Sequence, residues 1–113
     1  MAAQQPVVLV AGGVSFAAVS VGINHTCGRT AAGAAYCWGA NAAGQLGDGT
    51  TTDRSSAVPV AGGVSFTAVS TSTTDHTCGM TAAGAAYCWG NNASGQLGDG
   101  TTTNRSTPVR VVQ

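Results

Sequence analysis

Apolar and polar residues alternate along this chain in short bursts, and glycine-rich turns separate one burst from the next. Phe16 to Ser20 alternates apolar and small side chains, which predicts a strand. His25 to Thr30 and Ala34 to Gly39 predict a hairpin around Ala31-Ala32-Gly33, with Gly33 in the left-handed position that closes a three-residue loop. The turn-rich run G-Q-L-G-D-G-T-T-T then leads into a fourth strand at Val58 and Val60, repeated as Val109 and Val111. Pro59 puts that strand at a sheet edge, because proline cannot donate to a ladder.

The whole pattern occurs twice. Cys27 to Arg54 returns as Cys78 to Arg105, 51 residues later, with four changes: Arg29 to Met80, Ala40 to Asn91, Ala43 to Ser94 and Asp53 to Asn104. Upstream, A-G-G-V-S-F starts at Ala11 and again at Ala61, 50 residues later. One residue is therefore inserted between Phe66 and His76, where T-S-T-T-D stands in place of V-G-I-N. Four short strands in each unit of about 50 residues is the cadence of a β-propeller blade. The expected fold is all-β: two four-stranded antiparallel blades in a single unit, residues 1–113, with a first repeat at 11–60 and a second at 61–112. Val7, Val8 and Val10, within residues 5–10, resemble Val58 to Val60, so three outer-type strands serve two blades and one is surplus.

Composition supports the all-β reading and removes several functions. The chain has no lysine and no glutamate, and is rich in glycine, threonine and valine, which favour turns and strands. Four arginines balance four aspartates and only 7% of residues are charged, so there is no basic stripe for nucleic acid and no attraction to an anionic membrane. No apolar run approaches the roughly 18–20 residues of a membrane span, and the N-terminus lacks the pattern of a signal peptide. Four regularly spaced cysteines nevertheless point to an oxidising compartment, hence to a secreted or extracellular origin.

Counting outward from the hairpin loop places Cys27 opposite Cys37 at a non-hydrogen-bonded pair, where side chains approach most closely. Cys78 and Cys88 follow the same arithmetic, so two cross-strand disulfides are expected, each contributing about 2–3 kcal/mol. The sharper alternative is a metal site: His25, Cys27 and Cys37 share one face and offer three ligands, although no carboxylate is placed behind them. Against it stands a histidine hydrogen-bonded to a neighbouring turn. D-G-T-T-T-D lacks the alternating acids of a calcium loop, and Asp-Gly is an ordinary turn former. Ser20 and Ser70 have no histidine and acid at recognisable spacing. A-G-G-V-S-F is followed by neither lysine nor a helix, so it is no phosphate loop. Asn24, Asn92 and Asn104 begin glycosylation sequons. The expectation is no catalytic residue, no metal and no cofactor.

The run H-T-C-G-x-T-A-A-G-A-A-Y-C-W-G-x-N-x-x-G-Q-L-G-D-G-T-T-T resembles the regulator of chromosome condensation repeat, particularly its bacterial secreted forms. The signature rests on His25, Gly33, Tyr36, Trp38, Gly39, Asn41, Gly44, Gln45, Leu46 and Gly47, and on the matching residues of the second copy. The resemblance implies a propeller fold and makes the histidine structural. It does not bring nucleotide exchange with it, because the inserted wedge of the founding member is missing from this sequence. The chain departs from the family at Arg29 and Met80, where an aliphatic residue is usual. Tyr36, Trp38 and Leu46, with Tyr87, Trp89 and Leu97, are expected to fill the gap between neighbouring blades rather than to stack a sugar or a base.

Two blades cannot close a propeller, which takes about four to eight. The chain is therefore expected to partner itself, head to tail, as a ring of three or four chains or as a filament. Strand exchange would run through Val7, Val8 and Val10 or through Val109 and Val111. A scaffold of this kind is the leading expectation, with a filament or a lectin-like or inhibitor-like binding module as alternatives. Thin variation between the copies, confined mainly to Val21–Asn24 against Thr71–Asp75, gives a binding face little support.

Overall fold

The computed structural model describes residues 13–112. Eight strands form two four-stranded antiparallel sheets, one per repeat. Blade 1 contains β1 (Ala18–Val21), β2 (His25–Arg29), β3 (Ala35–Gly39) and β4 (Arg54–Pro59); blade 2 contains β5 (Ala68–Thr71), β6 (His76–Met80), β7 (Ala86–Gly90) and β8 (Arg105–Arg110). Strand order follows sequence order in both, so each blade is a simple meander. Among the described residues no helix is long and apolar enough to cross a membrane.

The hairpin register is the one the loop count predicts. Thr30 N donates to Ala34 O at 2.9 Å, Cys27 lies opposite Cys37, and Gly33 takes a φ of 92°. Boundaries shift elsewhere. The first strand starts at Ala18 rather than Phe16, which frees the Phe16 ring to lie over Gly28, where a Cβ would approach it to 2.6 Å. The fourth strand begins earlier than Val58, at Arg54, and carries a register shift between Arg54 and Val58, opposite Cys37–Gly39. Pro59 does sit on the outer strand of its sheet, opposite Tyr36.

Alternation along the strands gives each blade two faces. The front face carries His25, Cys27 and Cys37 in blade 1, and His76, Cys78 and Cys88 in blade 2. The back face carries Thr26, Tyr36 and Trp38, or Thr77, Tyr87 and Trp89. The front of blade 1 meets the back of blade 2, and the buried core lies there: Cys27, Ala35, Cys37 and Leu46 from one blade, Phe66 and Trp89 from the other.

β8 is taken up by its own blade, with Val109 opposite Cys88 and Val111 N donating to Ala86 O at 2.9 Å. Val109 and Val111 thus serve as the outer strand of blade 2, and no strand is left over among the described residues. Val7, Val8 and Val10 lie outside the described residues.

Candidate functional site

The joint between the blades is where the chain concentrates its specific chemistry. Within each blade, the turn-rich loop after the third strand is ordered by a buried asparagine. Asn41 Nδ2 donates to Thr50 O and Thr52 O at 3.0 Å and to Asp48 Oδ1 at 3.1 Å, while its Oδ1 accepts from Leu46 N. Arg54 Nε closes the knot on Asp48 Oδ2 at 3.0 Å. Burial pushes the Asp48 carboxyl upward, but hydrogen bonds from Thr50, Arg54 and Asn41 outweigh it and hold the group below its ordinary range. Asn92, Asp99, Thr101 and Arg105 repeat the knot, and the Thr101 hydroxyl leads in holding Asp99 low. This carboxylate is already engaged by arginine, which removes the calcium reading. Among the described residues no cluster of metal-ligating side chains exists.

The knot presents Gly44, Gln45 and Gly47 to the next blade. A Cβ on Gly47 would lie 2.6 Å from Trp89 Nε1, so only glycine lets the indole sit flat there. Gly44 is equally tight against Ser106 Cα at 2.7 Å. The indole belongs to an aromatic set that is already assembled within its own blade: Phe66 lies 5.7 Å from Trp89 and 6.2 Å from Tyr87, centroid to centroid. Phe16, Trp38 and Tyr36 form the same set in blade 1, at 5.5 and 6.1 Å, although no blade covers them.

A polar relay runs through the buried centre of the joint. The Thr77 hydroxyl donates to Gln45 O at 2.8 Å, and its single proton is thereby used. His25 Nε2 must then be the donor in the 2.8 Å contact with Thr77 Oγ1, which fixes the neutral tautomer with the proton on Nε2. His25 Nδ1 is buried with no partner among the described residues. Burial lowers the His25 pKa; Asp75 opposes this and His76 reinforces it. Nearer the sheet edge, Ser20 Oγ meets Thr71 Oγ1 at 3.0 Å and accepts from Thr71 N at 3.0 Å. Asn24 Nδ2 donates to Asp75 Oδ1 at 3.1 Å, and Phe66 N donates to Gly33 O at 2.8 Å.

The structure joins Cys27 to Cys37 and Cys78 to Cys88, with Cα atoms 4.1 Å apart in each pair, and no cysteine is free. Sulfurs so engaged offer no thiolates, and His25 faces Thr77, so a zinc reading has no ligand set. His76 does bond to its own turn, through Ser72 and Thr74 hydroxyls at 2.8 and 3.0 Å from Nδ1, both supplied by the inserted segment. Of the aromatic and leucine positions, Trp89 is sealed in the joint while its counterpart Trp38 is half-buried. Leu46 and Leu97 are both fully buried, although nothing among the described residues covers the front of blade 2, so a blade buries this leucine by itself. Thr77 escapes detection in sequence: T in H-T-C-G reads as one more strand threonine, and only the inter-blade geometry gives it a role.

The repeat profile described as "Regulator of chromosome condensation (RCC1) repeat" matches residues 32–79 and 83–113, and a second profile of that description matches 16–45 and 66–96. The chain belongs to the RCC1 repeat family. It is 35% identical over 91 residues to the ultraviolet-B receptor UVR8 of Arabidopsis thaliana, covering 80% of this chain and 21% of the receptor. It is 34% identical over 100 residues to the X-linked retinitis pigmentosa GTPase regulator of Canis lupus familiaris, covering 87% of this chain and 10% of that protein. The crystal structure of Prp20p from Saccharomyces cerevisiae, reported with its binding to Gsp1p and histones, superposes with a TM-score of 0.80 at 17% identity, over 93% of this chain and 27% of Prp20p. The chain thus spans about a fifth or less of these curated relatives' length. Its two sheets are RCC1-type β-propeller blades, a non-enzymatic fold.

Proposed function

We propose that this chain is a non-enzymatic propeller scaffold whose two-blade units assemble head to tail into a multi-blade ring. The observation that carries the reading is a difference in burial where the sequence barely differs. Cys27, His25, Gln45 and Gly47 are buried under blade 2, while Cys78, His76, Gln96 and Gly98, on the front of blade 2, are part-exposed. Conversely, Trp89 and Thr77 are sealed on the back of blade 2, while Trp38 and Thr26 remain part-exposed on the back of blade 1. The chain therefore displays both halves of a joint that it also contains in docked form. Covering those halves with further copies removes apolar area from water at about 25 cal/mol per Å², less the cost of association.

With two blades per chain, three chains give six blades and four give eight, both within the roughly four to eight that close a propeller. Strand exchange, through Val7, Val8 and Val10 or through Val109 and Val111, would add main-chain hydrogen bonds to this packing. The two disulfides support an extracellular setting. Native mass spectrometry tests the ring: three or four chains in one discrete species is the expected result. An open ladder of sizes replaces the ring with a filament, and a folded monomer at micromolar concentration overturns self-assembly. A protein-binding role draws on Prp20p, whose structure is reported with its binding to Gsp1p and histones, and would use the same two open faces.

A further inference from the structure

Some of the differences between the repeats fall on the surfaces that form the joint. At the internal joint, Arg29 on the front of blade 1 and Ser65, Phe66 and Thr67 on the back of blade 2 line one groove. The corresponding residues on the two open faces are Met80, on the front of blade 2, and Ser15, Phe16 and Ala17, on the back of blade 1. The internal groove is lined by a polar Arg29 and a polar Thr67, whose hydroxyl donates to Met80 O of its own blade at 3.1 Å, whereas the open faces offer an apolar Met80 and an apolar Ala17. A second position follows the same rule. Thr71, which bonds Ser20 across the internal joint, is replaced on the open back face by Val21. Met80 is 44% exposed and Val21 75% exposed, so both lie uncovered in the single chain. Met80 also borders a depression of about 250 Å³ with Ala68, Ser70, Cys78 and Ala86.

We infer that Met80 on the front of blade 2 seats against Phe16 and Ala17 of a second copy, making the joint between chains an apolar counterpart of the joint within the chain. The inference rests on the self-assembly reading and names the contact it uses. Two polar parts of the joint are kept, while the Ser20–Thr71 contact gives way to Ser70 against Val21. Asp75 and Asn24 exchange sides, so that a carboxylate still faces an amide, and His76 still faces the position held by Thr26. A matched pair of this kind favours blade 2 against blade 1 of the next copy, since Met80 finds a flat apolar seat at Ala17 and a hydroxyl at Thr67.

The test compares wild type, Met80→Arg, Ala17→Thr and the double variant by sedimentation over a dilution series. Met80→Arg is expected to weaken assembly by a factor of about 10 or more, and adding Ala17→Thr to recover part of that loss, because the double variant gives the seam the same arginine and threonine that line the internal groove. A photo-crosslinker at position 80, in a mixture of isotopically heavy and light chains, should join heavy to light at residues 15–17. Wild-type assembly with an unaffected Met80→Arg variant, or crosslinks that fall elsewhere, overturns the inference and leaves self-assembly standing. A wild type that stays monomeric throughout overturns both.

Discussion

The front faces of the two blades are built from the same residues and meet different surroundings. On blade 1 the H-T-C-G strand, the disulfide and the glycine-rich loop lie beneath a tryptophan and a phenylalanine. On blade 2 the same strand, disulfide and loop face outward, and Gly84 and Gly95 have open space where Gly33 and Gly44 touch the neighbouring blade. The contrast separates what a blade does for itself from what a neighbour does for it. Leucine burial, the asparagine-centred knot and the aromatic set are complete in both copies, so they belong to the blade. Burial of tryptophan, of the threonine hydroxyl and of the disulfide differs, so these belong to the joint.

Substituting paired positions breaks that contrast most directly. Trp89→Ala empties a fully buried site and should cost about 3–5 kcal/mol in a urea titration. Trp38→Ala, at a half-buried site, should cost no more than about 1–2 kcal/mol of chain stability and act instead on assembly. Equal losses would mean that the joint adds nothing to tryptophan burial. Gly47→Ala and Gly98→Ala sharpen the point, since their φ angles of 70° and 68° impose the same strain, about 1 kcal/mol. Only Gly47→Ala drives a methyl into the indole, adding about 1–3 kcal/mol; Gly98 has Val111 as its neighbour, at 3.1 Å.

A smaller effect concerns access rather than packing. Cys27 and Cys37 are fully covered, whereas Cys78 is partly exposed. In dilute protein a thiol reductant should open Cys78–Cys88 well before Cys27–Cys37, as read by differential alkylation and peptide mapping. Assembly should abolish the difference, and equal rates in the monomer would show that blade 2 does not shield the first disulfide.

The smallest effect is one of pH. Burial holds the pKa of His25 below its ordinary value, so the folded joint binds fewer protons than the unfolded chain. Stability is then fully present above the ordinary histidine value, about 6.5, and falls as pH drops below it. His76 shares the direction through burial, but its Nδ1 faces hydroxyls that can accept a proton's hydrogen bond, whereas His25 Nδ1 faces none. His25→Gln should flatten the urea midpoint between pH 8 and pH 5 more than His76→Gln.

Much of this was legible in the sequence because the repeat reports itself twice. The hairpin register follows from Gly33 and a loop of three, and the cysteine pairing follows from the register. The fourth strand was harder: Arg54 to Ser56 carries no apolar alternation, and it is held as a strand by pairing opposite Gly39 rather than by its own composition. The joint was only half legible. Trp38 and Trp89 look alike in sequence, and which of them is covered depends on the order of blades in space. Thr77 and Gln45 gain their partners from residues 52 and 32 positions away, a separation on which local pattern is silent.

Each disulfide closes on its own hairpin, ten positions along the chain, and none ties one blade to the next. In an assembly of such chains every second seam is crossed by peptide and the others by nothing covalent. Copies could then leave and re-enter without any sulfur chemistry, so the lifetime of a ring would be set by thermal opening of its unlinked seams. A mixture of heavy and light rings, each pure at the outset, should scramble into intermediate masses in fully oxidising buffer.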